Sequence, residues 1–182
     1  MAEPTVKSER LYQGRVVGLR VDTVRLSNGT LASREIVEHP GAVCVVPLDQ
    51  GKNVLLVRQY RKAAERSLLE VPAGTLEPGE DPVACAHREL EEETGCRAGE
   101  MRELVSFYTS PGFCTEVIHA FVARDLTRGR PLEAEDEELE VVSVPLAEAV
   151  SLVRRGEIRD AKSIAALLLA LDAVPRPGRR RL

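Results

Sequence analysis

Residues 15–25 alternate apolar and polar side chains, the two-residue period of a strand with one face on a core. Ser27-Asn28-Gly29-Thr30 follows, and Asn-Gly accepts positive φ, so the pattern predicts a hairpin with 31–38 as its return strand. Residues 41–47 are apolar on both faces, as a central strand covered from two sides must be. Further strands are expected at 54–60, 68–71, 103–108, 117–123 and 139–144. The period changes at Asp81-Pro82, an N-cap with proline at the first helical position, and Gly95 supplies a stop. Val83, Ala86 and Leu90 are its expected sheet-packing face. Helices at 146–155, stopped by Gly156, and at about 160–171 close the chain. Strands, one central helix, more strands and final helices make an α/β fold, a mixed β-sheet sandwiched between helices, with an N-terminal antiparallel strand region.

Composition narrows the function. The 182 residues carry 43% hydrophobic and 30% charged side chains, enough for one globular domain. A net charge of −4 argues against a nucleic-acid binder, and the short arginine run 179–181 is expected to be part of a disordered basic tail, 175–182. No apolar run is long enough for a bilayer, no leader-like segment precedes the first strand, and the four cysteines show neither zinc spacing nor a disulfide framework. No membrane partner and a cytoplasmic location are expected. His39, His87 and His119 are isolated and read as structural or surface residues.

One stretch departs from a bland surface. On the helix after Pro82, Glu89, Glu92 and Glu93 share a face, whereas Glu91 points elsewhere. Three like charges near a helix C-terminus repel one another and oppose the dipole, and a bound cation removes both penalties. Oxygen donors without His or Cys select a hard ion such as Mg²⁺, with Mn²⁺ as the alternative. Arg88 is placed to pair with Glu92 one turn later and to tether the preceding loop.

The segment from Gly74 through Glu80 to Arg88-Glu89-Leu90-Glu91-Glu92-Glu93-Thr94-Gly95-Cys96 resembles the Nudix box at every fixed polar and glycine position, with Cys96 a mild departure in the last apolar slot. The resemblance, which extends over about 34–172, implies the Nudix fold and hydrolysis of a diphosphate linkage. It makes Glu89 and Glu93 the main metal ligands, with Glu92 joining directly or through water and the carbonyl of Ala73 adding an oxygen. Glu80 is expected to support them. The acidic run before Leu139-Glu140-Val141-Val142 resembles the loop that supplies a general base in ADP-ribose-cleaving relatives, placing Glu135 first and Glu137 next.

Substrate choice rests on flanking residues. Pro111, sixteen residues beyond Gly95 in Ser110-Pro111-Gly112-Phe113, resembles the marker of the ADP-ribose pyrophosphatase subfamily, and Glu116 matches a recurrent glutamate that contacts substrate or the metal network. Arg58-Gln59-Tyr60-Arg61 resembles a strand end whose arginine grips the diphosphate; Arg61 is the first choice and Arg58 the second. Arg34 resembles an arginine that reaches the nucleotide from N-terminal strands, and those strands, 1–38, are exchanged in a homodimer of such relatives, leaving 39–174 as the catalytic domain. Glu70 is expected to hold substrate or to support the turn at Ala73. Arg15-Val16-Val17 stands where relatives often carry aromatics for adenine, which implies weaker or broader base selection. Together these imply hydrolysis of ADP-ribose, a small-molecule nucleotide, to AMP and ribose 5-phosphate. Another nucleoside diphosphate sugar, a nucleoside triphosphate, or a non-catalytic ADP-ribose-binding module are the alternatives.

Overall fold

The computed structural model describes residues 2–129 and 139–173. Two compact units divide the chain: one holds the residues up to Gly41 together with Phe107–Val117, the other Ala42–Ser106 and the residues from Ile118 onward.

In the first unit β1 (Thr5–Gln13), β2 (Gly18–Arg25) and β3 (Leu31–Glu38) form an antiparallel sheet in that order. The Asn28-Gly29 turn closes as its sequence requires. The amide of Leu26 donates to the Thr30 carbonyl, that of Gly29 to Leu26, and Asn28 Oδ1 accepts from Thr30, with Gly29 at φ 85°. β2 starts later than the alternation suggested because Gly14 and Val17 close a turn. β1 lies outside the strands expected from sequence. Its every residue is exposed, so it lacks the apolar period that betrays a half-buried strand.

The second unit carries the core. β4 (Ala42–Pro47) is buried at every position and lies between β7 (Ala73–Thr75), antiparallel, and β9 (Val117–Arg128), parallel, with β8 (Cys96–Tyr108) beyond β9. A second sheet runs β10 (Glu140–Pro145), β5 (Asn53–Arg61), β6 (Arg66–Glu70), all antiparallel. Because side chains alternate along a strand, the two faces of β4 need separate covers. Val43 and Val45 pack with Phe121 and Ala123 against Cys85, Ala86 and Leu90 of α1 (Pro82–Thr94). The opposite face meets α3 (Ala161–Ala173), which packs on α2 (Leu146–Arg154). This is the expected mixed sheet between helices.

The caps of α1 fall where the sequence places them. Asp81 accepts from the amides of Val83 and Ala84 at 2.9 and 3.1 Å, and Gly95 ends the helix at φ 66° with its amide on the Glu91 carbonyl. Its buried face needs one correction: Val83 is 43% exposed and Cys85 takes its place. Positions 85, 86, 89 and 90 define the inward stripe, and 83 in the first turn lies off it. Among the described residues no helix is long and apolar enough to cross a membrane.

Candidate active site

α1 turns its polar side onto the strand-and-loop segment that precedes it. Arg88 is the hub. Its Nε and Nη2 reach Glu80 Oε1 and Oε2 at 2.9 and 3.0 Å, and its Nη1 reaches Glu89 Oε1 at 2.6 Å and Glu92 Oε2 at 3.0 Å. One planar guanidinium therefore ties the loop residue Glu80 to two helical carboxylates, a task for which its fixed fork of donors suits arginine. The Arg88 hydrogen bonds, helped by the amide of Glu77, hold the Glu80 carboxyl down to about 2. Arg88 itself is held still more firmly in its charged form, chiefly by Glu80.

Glu89 behaves in the opposite way. It is a buried carboxylate, and burial pushes its pKa up despite Arg88, with Glu92 and Glu80 adding repulsion. Its head lies against the backbone at Gly74, where an added Cβ would overlap the carboxyl carbon and both oxygens. The box glycine is thus required by close approach. Glu93, one turn later, accepts from the Ala73 amide at 3.0 Å, which joins the C-terminal end of α1 to the start of β7. Glu91 faces elsewhere and takes Arg97 Nε at 2.8 Å.

The donors around Gly74 are all oxygen, and Glu89 has been desolvated with only part of its charge compensated, so these residues fit a hard divalent cation. Among the described residues no three acidic, histidine or cysteine side chains already converge on one point, because Arg88 draws Glu89 and Glu92 while the Ala73 amide holds Glu93. A cation would compete with Arg88 for Glu89 and Glu92.

A second charged cluster lies at the end of β6. Glu70 is 1% exposed and receives Arg61 Nε and Nη2 at 3.0 and 2.9 Å, one on each oxygen. Lys162 Nζ also donates to Glu70 Oε2 and lies 3.0 Å from Asp160 Oδ2. Burial works to raise the Glu70 pKa, but Arg61 and Lys162 outweigh it and hold the group below the ordinary carboxylate range. Asp160 Oδ2 caps α3 by accepting from Ser163 N and Oγ, and Ser163 Oγ accepts from the Val71 amide at 2.9 Å. Lys162, Asp160 and Ser163 were not among the candidates, since the sequence placed them only within the final helix expected at about 160–171.

The remaining candidates separate. Arg58 pairs with Glu140 across β5 and β10 at 3.0 Å. In the first unit Arg34 forms a two-pronged pair with Glu3, at 2.9 and 2.8 Å. Pro111 and Gly112 occupy a turn closed by Phe113 and Cys114 amides on the Ser110 carbonyl. Glu116 accepts from Thr109 Oγ1 at 2.7 Å and lies 3.6 Å from His39 Nδ1. Glu135, Glu137 and the basic tail lie outside the described residues. Burial pushes the thiols of Cys44 and Cys85 up to about 12, so neither is a nucleophile at neutral pH.

The NUDIX domain family model matches residues 38–167, a span that contains the whole carboxylate cluster. The chain belongs to the Nudix domain family. The nucleoside diphosphate sugar hydrolase N-terminal domain model matches residues 3–37. A methanol dehydrogenase activator of Bacillus methanolicus is 46% identical, covering 91% of this chain and 90% of that protein. An ADP-ribose pyrophosphatase of Bacillus subtilis (strain 168) is also 46% identical, over 92% and 91%. The crystal structure of an ADP compounds hydrolase superposes with a TM-score of 0.84 at 26% identity, covering 95% of this chain and 94% of that one. Nudix hydrolases generally use divalent metal cations, in keeping with the oxygen-only donors around Gly74.

Proposed function

We propose that this Nudix enzyme hydrolyses the diphosphate of ADP-ribose to AMP and ribose 5-phosphate with Mg²⁺. The observation that carries the chemistry is the seating of Glu89 against Gly74 beside Glu92, Glu93 and the Ala73 turn. The substrate follows from full-length similarity to an ADP-ribose pyrophosphatase and from the Ser110-Pro111-Gly112 turn.

Glu89 and Glu93, with Glu92 directly or through water and the Ala73 carbonyl, would hold the ion. When bound, it offsets diphosphate charge and makes water a better nucleophile at neutral pH. Glu80 and Arg88 keep the helical carboxylates oriented. Glu135, with Glu137 next, is proposed to accept the proton of the attacking water as its oxygen bonds to phosphorus and the bridging P–O bond breaks. Arg61, and next Arg58, would meet the diphosphate; Glu70 would govern Arg61. Arg34, Pro111, Gly112 and Glu116 are proposed to act on the nucleotide. No nucleic-acid or membrane partner is proposed, and a cytoplasmic location is.

A homodimer is part of the proposal. β1 is exposed at all positions, and Val6, Leu11, Tyr12 and Leu31 leave apolar side chains uncovered in a three-stranded sheet, with Val16 exposed in the turn between β1 and β2. A second copy of these strands would cover them.

The test is product identification after incubating the protein and Mg²⁺ with ADP-ribose, other nucleotide sugars and nucleoside triphosphates. AMP plus ribose 5-phosphate, formed fastest from ADP-ribose, is expected. Faster turnover of another compound would overturn the substrate, and binding of ADP-ribose without any turnover would overturn the enzyme.

A further inference from the structure

Two cations meet the Glu70 carboxylate, and they differ in access. Arg61 has a side chain 36% exposed, at the end of β5, whereas Lys162 is 14% exposed and is braced by Asp160 at the start of α3. Both meet Glu70, which is almost fully buried. A buried carboxylate that loses its only partner is left as an uncompensated charge, so a lone Arg61–Glu70 pair would resist opening. With Lys162 fixed on the same carboxylate, Arg61 can leave without stranding it.

We infer that Lys162 is a positioning residue: it keeps Glu70 compensated while Arg61 exchanges that carboxylate for the diphosphate of the substrate. This rests on the reading of Arg61 as a diphosphate ligand. The surrounding bonds suit a fixed counter-ion. Asp160 holds Lys162 and also caps α3 through Ser163, and Ser163 Oγ binds the Val71 amide next to Glu70. Lys162 is therefore anchored to the same short segment as its carboxylate, whereas Arg61 reaches Glu70 from the end of β5 through its Nε and Nη2.

Steady-state kinetics with ADP-ribose at saturating Mg²⁺ tests the exchange, using Lys162→Met, Glu70→Gln, Glu70→Gln/Lys162→Met and Arg61→Ala. Lys162→Met leaves Arg61 as the one cation on Glu70 among the described residues, so KM should rise about 10-fold with kcat within about twofold, the signature of lost substrate binding. The double variant frees Arg61 again, and its KM should return to within about threefold of the parent. An unchanged KM in Lys162→Met, or a double variant as impaired as the single, overturns the inference. If Lys162→Met does not fold, Glu70→Gln decides: a KM at or below the parent supports the exchange, and a raised one contradicts it. Arg61→Ala separates the two claims. A raised KM there with normal Lys162→Met removes only the exchange; an unchanged KM there removes Arg61 from the diphosphate and the inference with it.

Discussion

Two clusters of the same residue types sit on the second unit with opposite balance. At α1 the carboxylates of Glu80, Glu89 and Glu92 share one guanidinium, that of Arg88, and Glu93 stands beside them on the Ala73 amide. At β6 and α3 the carboxylates of Glu70 and Asp160 share Arg61 and Lys162. The consequences show in the buried member of each. Burial wins at Glu89 and raises its pKa, while the two cations win at Glu70 and lower it. Depth alone does not decide the charge state of a carboxylate; the number of cations within hydrogen-bond reach does. The first cluster holds more carboxylate than cation, as the cation site proposed for it requires. The second pairs two carboxylates with two cations, and the exchange inferred for Arg61 would leave Lys162 on Glu70.

The sharpest way to break this contrast is at Glu89. In metal-free protein its ionised form is disfavoured by folding, so stability is lost as pH rises from the ordinary carboxylate range through the raised folded value. Glu89→Gln should therefore raise the melting temperature at pH 7 in EDTA, while cutting ADP-ribose turnover by more than the roughly 10–100-fold typical of a metal's outer shell. A melting temperature that falls in EDTA would show that Arg88 outweighs burial there.

Next is Gly74→Ala. The added methyl meets the Glu89 carboxylate, which must shift. Turnover should drop about 10- to 100-fold, as for disturbance of a ligand's support, with an overpacking cost of about 1–3 kcal/mol in thermal or denaturant unfolding. Wild-type rates would show that Glu89 needs no fixed seat.

The smallest effect belongs to Glu80, which supports Arg88 from the loop. Its folded pKa of about 2 lies below the ordinary 4.5, so its contribution to stability is full above 4.5 and is lost as pH falls toward 2. Glu80→Gln should flatten the decline of the melting temperature across that window, with turnover at neutral pH reduced less than in the other two variants. An acid profile that superposes on the parent's would remove Arg88–Glu80 from the stability of the loop.

How far the sequence announced these clusters follows from where their information is stored. α1 was legible because its signals are local: Asp81 and Pro82 at the start, Gly95 at the end, and carboxylates three and four apart between them. β4 was legible because a strand buried on both faces must be apolar throughout. β1 was not, since Thr5–Gln13 contacts solvent along its whole length and shows no apolar period. β7 has three residues, too few for any period, yet it delivers Ala73 and Gly74 to the helix. The first half of β8 was hidden by Arg97, Gly99 and Glu100 in a half-exposed strand.

The α1 site was readable as a motif, but its wiring was only partly so. The spacing of Arg88 and Glu92 foretold their pair, whereas the fit of Glu89 to Gly74 depends on the approach of β7. The Glu70 cluster was half legible. Arg61 and Glu70 were candidates through resemblance, yet Lys162 lies 92 residues from Glu70 and meets it only through the packing of α3.

Whether the α1 cluster holds a divalent cation is read out by Mn²⁺ titration followed by electron paramagnetic resonance. The wild-type protein should take up Mn²⁺, Mg²⁺ should displace it, and Glu93→Gln should bind it at least about 10-fold more weakly. Equal Mn²⁺ affinity in wild type and Glu93→Gln, or no uptake by either, would mean that the α1 carboxylates do not hold the cation.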